Sequence, residues 1–195
     1  MCIRDSLLGN PHFASELFEG MRGMGRVFQS ASTVAAVLNG NLIEKAAEAG
    51  LRSLFLGFET FSPDNLRSSN KLQNLSKDYV AAVKRLHSLG IMINGSFVFG
   101  LDHDDKDVFR RTVDWGIEHS ITTATFHILT PYPGTRLFQQ MERDGRITSY
   151  DWSQYDTRTV VYKTLGLTAE ELKQGYEWAY HNFYSWSNIF KASFG

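Results

Sequence analysis

Asn41-Leu-Ile-Glu-Lys-Ala-Ala-Glu-Ala-Gly50-Leu-Arg-Ser-Leu-Phe-Leu-Gly-Phe-Glu59 carries two periodicities back to back. Leu42, Ile43, Ala46 and Ala47 recur at helical spacing, which predicts a helix over 41–49. Gly50 fits the left-handed position that ends helices. The apolar run after it predicts a strand over 51–59. The same order of helix, glycine and strand recurs along the chain. A helix over 11–24, closed by Gly25, precedes a strand at 27–34. A helix over 76–89, capped by Ser76 and ended by Gly90, precedes a strand at 91–100. A helix over 105–119 precedes a strand at 122–130.

Alternation of this kind predicts an α/β fold built of parallel β/α units. The runs 53–58 and 96–99 are mainly apolar on both alternating faces, as in strands buried on both sides. Neither Asn39-Gly40 nor Asn94-Gly95 lies between two strands, so no hairpin is expected. An eight-stranded barrel needs about 250 residues. Four units in 195 residues therefore predict an open sheet, part of a barrel or a piece of something larger.

After Thr130 the pattern changes. Pro131-Tyr-Pro-Gly-Thr135 reads as a rigid turn, followed by a helix over 136–144 and a polar irregular stretch over 145–166. Thr168-Ala-Glu-Glu171 is a capping box that opens a last helix, expected to run to about Phe190. Tyr176, Tyr180, Phe183 and Tyr184 share one face of it and are expected against the sheet edge.

Composition excludes several classes. The formal net charge of −1 offers no broad attraction for nucleic acid or an anionic membrane. No run approaches the roughly 18 apolar residues of a membrane span. Residues 1–10 lack the apolar core of a secretory signal. The single cysteine, Cys2, rules out an internal disulfide and favours a reducing, cytoplasmic compartment. Met1-Cys-Ile-Arg-Asp-Ser6 does not fit the β/α pattern of the rest of the chain and resembles translated sequencing-adapter sequence. The expected organisation is an artefactual or disordered leader over 1–8, a partial barrel over 9–145 and a C-terminal extension over 146–195 packed on it.

Parallel β/α folds bind ligands at the carboxyl ends of their strands. That rule selects 29–33, Gly57 to Thr60, Gly95-Ser96 with Gly100 to His103, and His127 with Thr130 to Thr135. Glu59 comes straight after an apolar strand and could accept two hydrogen bonds from vicinal hydroxyls. It could equally be a carboxylate at the start of a short helix with Ser62 as cap and Pro63 in first position. Asp102 to Asp105 with Asp107 form the densest acidic cluster. A metal site is conceivable there, but carboxylates in the first turn of the helix over 105–119, offsetting its dipole, are the stronger reading. His127, within an apolar strand, is either a satisfied core residue or an acid–base candidate. Lys71 is either a solvated lysine or a partner for a carboxylate. P-loop, GxSxG, HExxH and GxGxxG patterns do not occur.

In order, the chain carries Gly57-Phe-Glu59-Thr60, Pro63-Asp-Asn-Leu66, Asn70-Lys71, Ile93-Asn-Gly-Ser-Phe-Val-Phe-Gly100, Phe126-His-Ile-Leu-Thr-Pro-Tyr-Pro-Gly-Thr135, Asp151-Trp152 and Tyr155-Asp156. The ordered set resembles the later part of the radical S-adenosylmethionine (SAM) catalytic domain, above all in proteins with a cobalamin-binding domain ahead of it. The resemblance covers residues 9–190. It implies a partial, TIM-like (β/α)6 barrel whose third to sixth strands are the four seen here. By position, Glu59 matches the contact to the SAM ribose, and Lys71 a basic residue reaching the SAM carboxylate. Ser96 and Gln29 match positions facing SAM, and His127 lines the adenine or substrate side.

The resemblance further implies a radical SAM enzyme, in some members a methyltransferase, working on a small or lipid-like substrate. Its cofactors would be SAM, a 4Fe-4S cluster and in some members cobalamin. Such clusters are held by cysteine thiolates in a CxxxCxxC motif, and this sequence has none. The expectation is a fragment, inactive in isolation, with the cysteines encoded roughly two strand–helix units upstream of Gly9. Two rivals stand beside it: a barrel lyase or hydrolase using Glu59 and His127, and a non-catalytic module that binds SAM-like ligands.

Overall fold

The computed structural model describes residues 7–62, 65 and 76–194. Strands β1 (Phe28–Thr33), β2 (Leu51–Glu59), β3 (Met92–Phe99) and β4 (Thr123–Ile128) form one sheet in that order, each parallel to its neighbour. Helices α1 (Pro11–Met21), α2 (Val34–Leu38), α3 (Leu42–Glu48), α4 (Ser76–Ser88) and α5 (Val108–Glu118) lie between or before the strands. After β4 come α6 (Arg136–Arg143), α7 (Ala169–Phe183) and α8 (Trp186–Phe194). The strands end one or two residues inside the runs expected from sequence, except β2, which spans 51–59 as read.

Alternation along each strand sorts the side chains into two faces. Leu54, Leu56 and Phe58 of β2, Ile93, Phe97 and Phe99 of β3, and Ala124, Phe126 and Ile128 of β4 are buried on the helix-covered face. Their aromatic rings stack from strand to strand, Phe58 on Phe97 at 5.4 Å and Phe97 on Phe126 at 5.6 Å. Each of the leucine, isoleucine and phenylalanine side chains stabilises the fold by roughly 1.5–3 kcal/mol through burial. The opposite face corrects the expectation of strands buried on both sides. Phe55 is 39% and Met92 52% exposed there, among small or polar Ser53, Gly57, Asn94, Ser96 and Thr125. Among the described residues, helices pack against one face, and the other is a largely polar surface.

Gly50 explains the sharp join between α3 and β2. Its φ is 110°, and an added Cβ would collide with the Arg26 carbonyl oxygen. A side chain at this position would be strained twice over.

The edge of β4 is closed by tyrosines. The Tyr184 hydroxyl accepts from Ala124 N at 3.0 Å and donates to Ala124 O at 2.8 Å. One helical turn earlier, the Tyr180 hydroxyl accepts from Phe126 N at 3.1 Å and donates to Phe126 O at 3.2 Å. Ile128 N donates to Thr157 O at 2.7 Å. Three alternate residues of an edge strand thus find partners where another strand would otherwise pair. Tyr184 ends α7, so the single last helix expected to Phe190 is instead two, with α8 starting at Trp186.

Two further differences have local causes. The Thr33 hydroxyl accepts from Ala36 N at 3.2 Å, so the chain turns into α2 where the strand was expected to continue. The polar stretch 145–166 has a small core of its own: Tyr155, Val161 and Tyr162 pack with Phe138 and Met141 of α6. At the other end, Leu7–Gly9 form a 3-10 turn with Leu8 buried. Of the leader expected over 1–8, residues 1–6 lie outside the described residues. No helix among the described residues is long and apolar enough to cross a membrane.

Candidate functional site

On the open face the strand register builds rows of side chains. Thr33 pairs with Gly57, Gly57 with Ser96 and Ser96 with Thr125, in one row across all four strands. One step nearer the carboxyl ends, Val98 pairs with His127. Gly57 leaves a hollow in the middle of the row, since a Cβ added there would meet nothing within 4 Å. Ser96 is 9% exposed beside it.

Glu59 stands at the end of β2, where the β2–β3 register slips. Its φ is 62°, outside the region that non-glycine residues favour. Thr60 N donates to Phe58 O at 2.9 Å across it. A bond from residue i to i+2 around a positive φ is the rare, strained hand of the γ-turn. Backbone outliers of this kind cluster at functional sites. The competing helix-start reading of this loop also has support, because Asn65 N donates to the Ser62 hydroxyl at 3.4 Å.

The other expected residues divide. His127 is half-buried, with Nδ1 3.2 Å from the Thr157 hydroxyl, and burial lowers its pKa below the ordinary imidazole value. It reaches the same end of the sheet as Glu59 and Ser96. Gln29 does not. It is the second residue of β1, level with Ser53, six residues before Glu59 along β2, or roughly 20 Å of strand. The expectation that 29–33 all lie at a strand end therefore holds for Thr33 and not for Gln29. Lys71 lies outside the described residues.

The acidic cluster is dispersed among separate partners. Asp102 pairs with Arg146 at 2.6 Å, Asp105 with Arg111 at 2.8 Å, and Asp104 turns inward. The Asp104 carboxylate accepts from Gly100 N at 2.8 Å, Leu101 N at 3.0 Å and Asn65 Nδ2 at 2.7 Å. Its burial raises its pKa to about 6 against the pull of those donors. Asn65 also accepts from His103 N at 3.0 Å, and the Tyr162 hydroxyl donates to Gly100 O at 2.5 Å. The loops after β2 and β3 are thereby tied to each other and to the 145–166 segment.

Sequence reasoning missed Asn65, Tyr79, Tyr162 and Asn94. Asn65 and Asn94 fall inside the motif stretches 63–66 and 93–100, but nothing in those stretches singles them out, and Tyr79 and Tyr162 lie in none. Asn94 shares the open face, paired with Phe55 and Thr123, and its buried Oδ1 has no hydrogen-bond partner among the described residues.

The donor set decides what this face can hold. A hollow at Gly57, hydroxyls in the same row and a carboxylate at the strand end suit a nucleoside with vicinal hydroxyls. They do not suit an iron–sulfur cluster, which requires thiolates. The chain's one cysteine is Cys2, outside the described residues, and no group of metal-ligating side chains occurs among the described residues.

No family model matches the chain. It is 32% identical over 187 residues to a bacteriochlorophyllide d C-12(1)-methyltransferase of Chlorobaculum tepidum, covering 96% of this chain and 41% of that protein. It is 29% identical over 149 residues to an anaerobic magnesium-protoporphyrin IX monomethyl ester cyclase of Cereibacter sphaeroides, covering 76% of this chain and 24% of that one. Among solved structures, Escherichia coli coproporphyrinogen III oxidase, a radical SAM enzyme, superposes with a TM-score of 0.64 at 13% identity, covering 94% of this chain and 37% of that one. TsrM of Kitasatospora setae, a radical SAM methyltransferase with cobalamin and a 4Fe-4S cluster bound, gives 0.58 at 16% identity, covering 71% of this chain and 29% of that one. The chain thus spans well under half the length of these relatives.

Proposed function

We infer, for a chain homologous to part of the radical SAM methyltransferases and cyclases, that its open sheet face supplies part of a SAM site. The observation that carries this reading is the strained γ-turn at Glu59, set at the end of a row in which Gly57 leaves room beside Ser96. Glu59 would accept from the two ribose hydroxyls, since a carboxylate offers acceptors in the plane that vicinal hydroxyls need. Ser96 would face the nucleoside across the hollow. His127, neutral at pH 7, would contact adenine or substrate as a hydrogen-bonding group rather than a cation. Lys71 remains the proposed partner of the SAM carboxylate. Gln29 is left out, because its row is distant from Glu59.

The cluster of the complete enzyme would be held by cysteines other than those of this chain. When bound it would supply the electron for reductive cleavage of SAM. Cobalamin, present in one structural neighbour, is proposed only for the whole protein. The same holds for methyl transfer and for a small or lipid-like substrate. The proposed division is a partial barrel over 9–145 and a C-terminal extension over 146–195, working in a cytoplasmic, reducing compartment.

Calorimetric titration of SAM into the chain tests the reading directly. Binding is expected, weakened about tenfold by Glu59→Gln, as the loss of charge-assisted hydrogen bonds predicts. Absence of any SAM binding by a folded chain overturns it. For the whole protein, an upstream reading frame without CxxxCxxC overturns the proposed chemistry.

A further inference from the structure

A strained backbone persists only where its surroundings hold it. At Glu59 the holding group is identifiable. Tyr79, on α4, is fully buried beneath the turn. Its hydroxyl donates to Phe58 O at 2.6 Å and lies 3.5 Å from Thr60 O. Those two carbonyls flank Glu59. The Tyr79 ring is wedged edge-on against Phe58 at 5.2 Å and Phe61 at 5.5 Å, the aromatic residues on either side of the turn. Phe58 O already accepts from Thr60 N, so the tyrosine proton occupies its second lone pair. Among Phe58, Thr60 and Tyr79, removing that proton would leave Phe58 O with only the γ-turn's own intrinsically weak bond from Thr60 N.

We propose that Tyr79 is a positioning residue for Glu59: its hydroxyl locks the γ-turn at the end of β2 and so sets where the Glu59 carboxylate is presented. This rests on the reading of Glu59 as a ribose contact. It adds that the contact is pre-organised from behind the sheet, by a side chain that never touches the ligand. Pre-organisation of this kind lowers the ordering cost of binding.

The test uses Tyr79→Phe, which keeps the ring and removes one oxygen. Two measurements are read. Hydrogen exchange at the Thr60 amide, in the chain without ligand, is expected to quicken at least tenfold in Tyr79→Phe, while amides of the β3 core keep their protection. Unchanged Thr60 exchange overturns the proposal whether or not SAM binds. SAM titration is then run on wild type, Tyr79→Phe, Glu59→Gln and the double variant. Tyr79→Phe is expected to weaken binding about tenfold, and the double variant to bind no more weakly than Glu59→Gln. Additive losses would assign Tyr79 a structural role independent of Glu59 and overturn the proposal. Failure of the wild type itself to bind would sink the SAM reading, leaving exchange at Thr60 to decide what Tyr79 does to the turn.

Discussion

Asn65 donates its side-chain amide to the buried Asp104 carboxylate across 2.7 Å, joining the loop after β2 to the loop after β3. Each oxygen of Asp104 faces N–H donors: Gly100 and Leu101 on one, Asn65 on the other. An asparagine cannot replace it, because its own NH2 must then point at a donor. Nor can Asn65 turn over to compensate, since its Oδ1 is already taken by His103 N. Asp104→Asn is expected to lower unfolding free energy by about 1–3 kcal/mol, the range for a buried donor left unsatisfied. Urea denaturation measures it, and a change within experimental error would show that the loops are held by other means.

The same carboxylate gives a pH signature. Its folded pKa is about 6, raised by burial, whereas an unfolded aspartate titrates near 3.9. Folding therefore favours its protonated form, so burying the charge costs stability at neutral pH. That cost is relieved as pH falls from about 6 toward 4. His127 acts in the opposite sense. Its folded pKa is depressed by burial, so its contribution is present above the unfolded value near 6.5 and is lost as pH falls below it. The difference in stability between wild type and Asp104→Asn isolates the aspartate. It should change between pH 7 and pH 4.5, with wild type gaining at the lower pH.

The tyrosine closure of β4 is testable without any ligand. Tyr184→Phe removes the acceptor of Ala124 N and the donor to Ala124 O together. Tyr180→Phe does the same at Phe126. Each is expected to cost about 1 kcal/mol, within the net range of an intramolecular hydrogen bond. The double variant, with two bare positions on an edge strand, should also aggregate during refolding at concentrations where wild type does not. Light scattering on dilution from urea reads this out. Equal scattering would show that the edge is protected by other parts of α7.

Much of this arrangement was legible in the sequence, for identifiable reasons. The strand Leu51–Glu59 was readable because helical period, glycine and apolar run succeed one another without a gap. The capping box at Thr168 was readable because both of its members are local in sequence, and both of its bonds are present. The small helix after Thr33 was not, because one hydroxyl decides whether Val34 continues a strand or starts a turn. The contacts of Asn65, Tyr79 and Tyr162 were invisible for a different reason. Each acts on a loop that is 21 to 62 residues away, and no local pattern encodes that distance. Glu59 was read as a candidate from its place after a strand, but its positive φ belongs to the tertiary structure.

That positive φ allows the last prediction, in which stability and binding move in opposite directions. Glu59 sits at φ 62°, where glycine is at ease and a side chain costs of order 1–3 kcal/mol. Glycine brings its own cost by enlarging the entropy of the unfolded chain, up to about 1 kcal/mol. Relief of strain should outweigh it, so Glu59→Gly is expected to raise unfolding free energy by about 1 kcal/mol. The same change deletes the carboxylate proposed to hold the ribose, so SAM affinity should fall at least as far as in Glu59→Gln. Glu59→Ala separates the two effects: it also deletes the carboxylate but keeps a Cβ, and therefore keeps the strain. Urea unfolding and SAM titration on the three variants would set stability against affinity. If Glu59→Gly is less stable than Glu59→Ala, the turn is not strained in solution. If glycine and alanine bind SAM as tightly as wild type, the strain at this position serves something other than ribose.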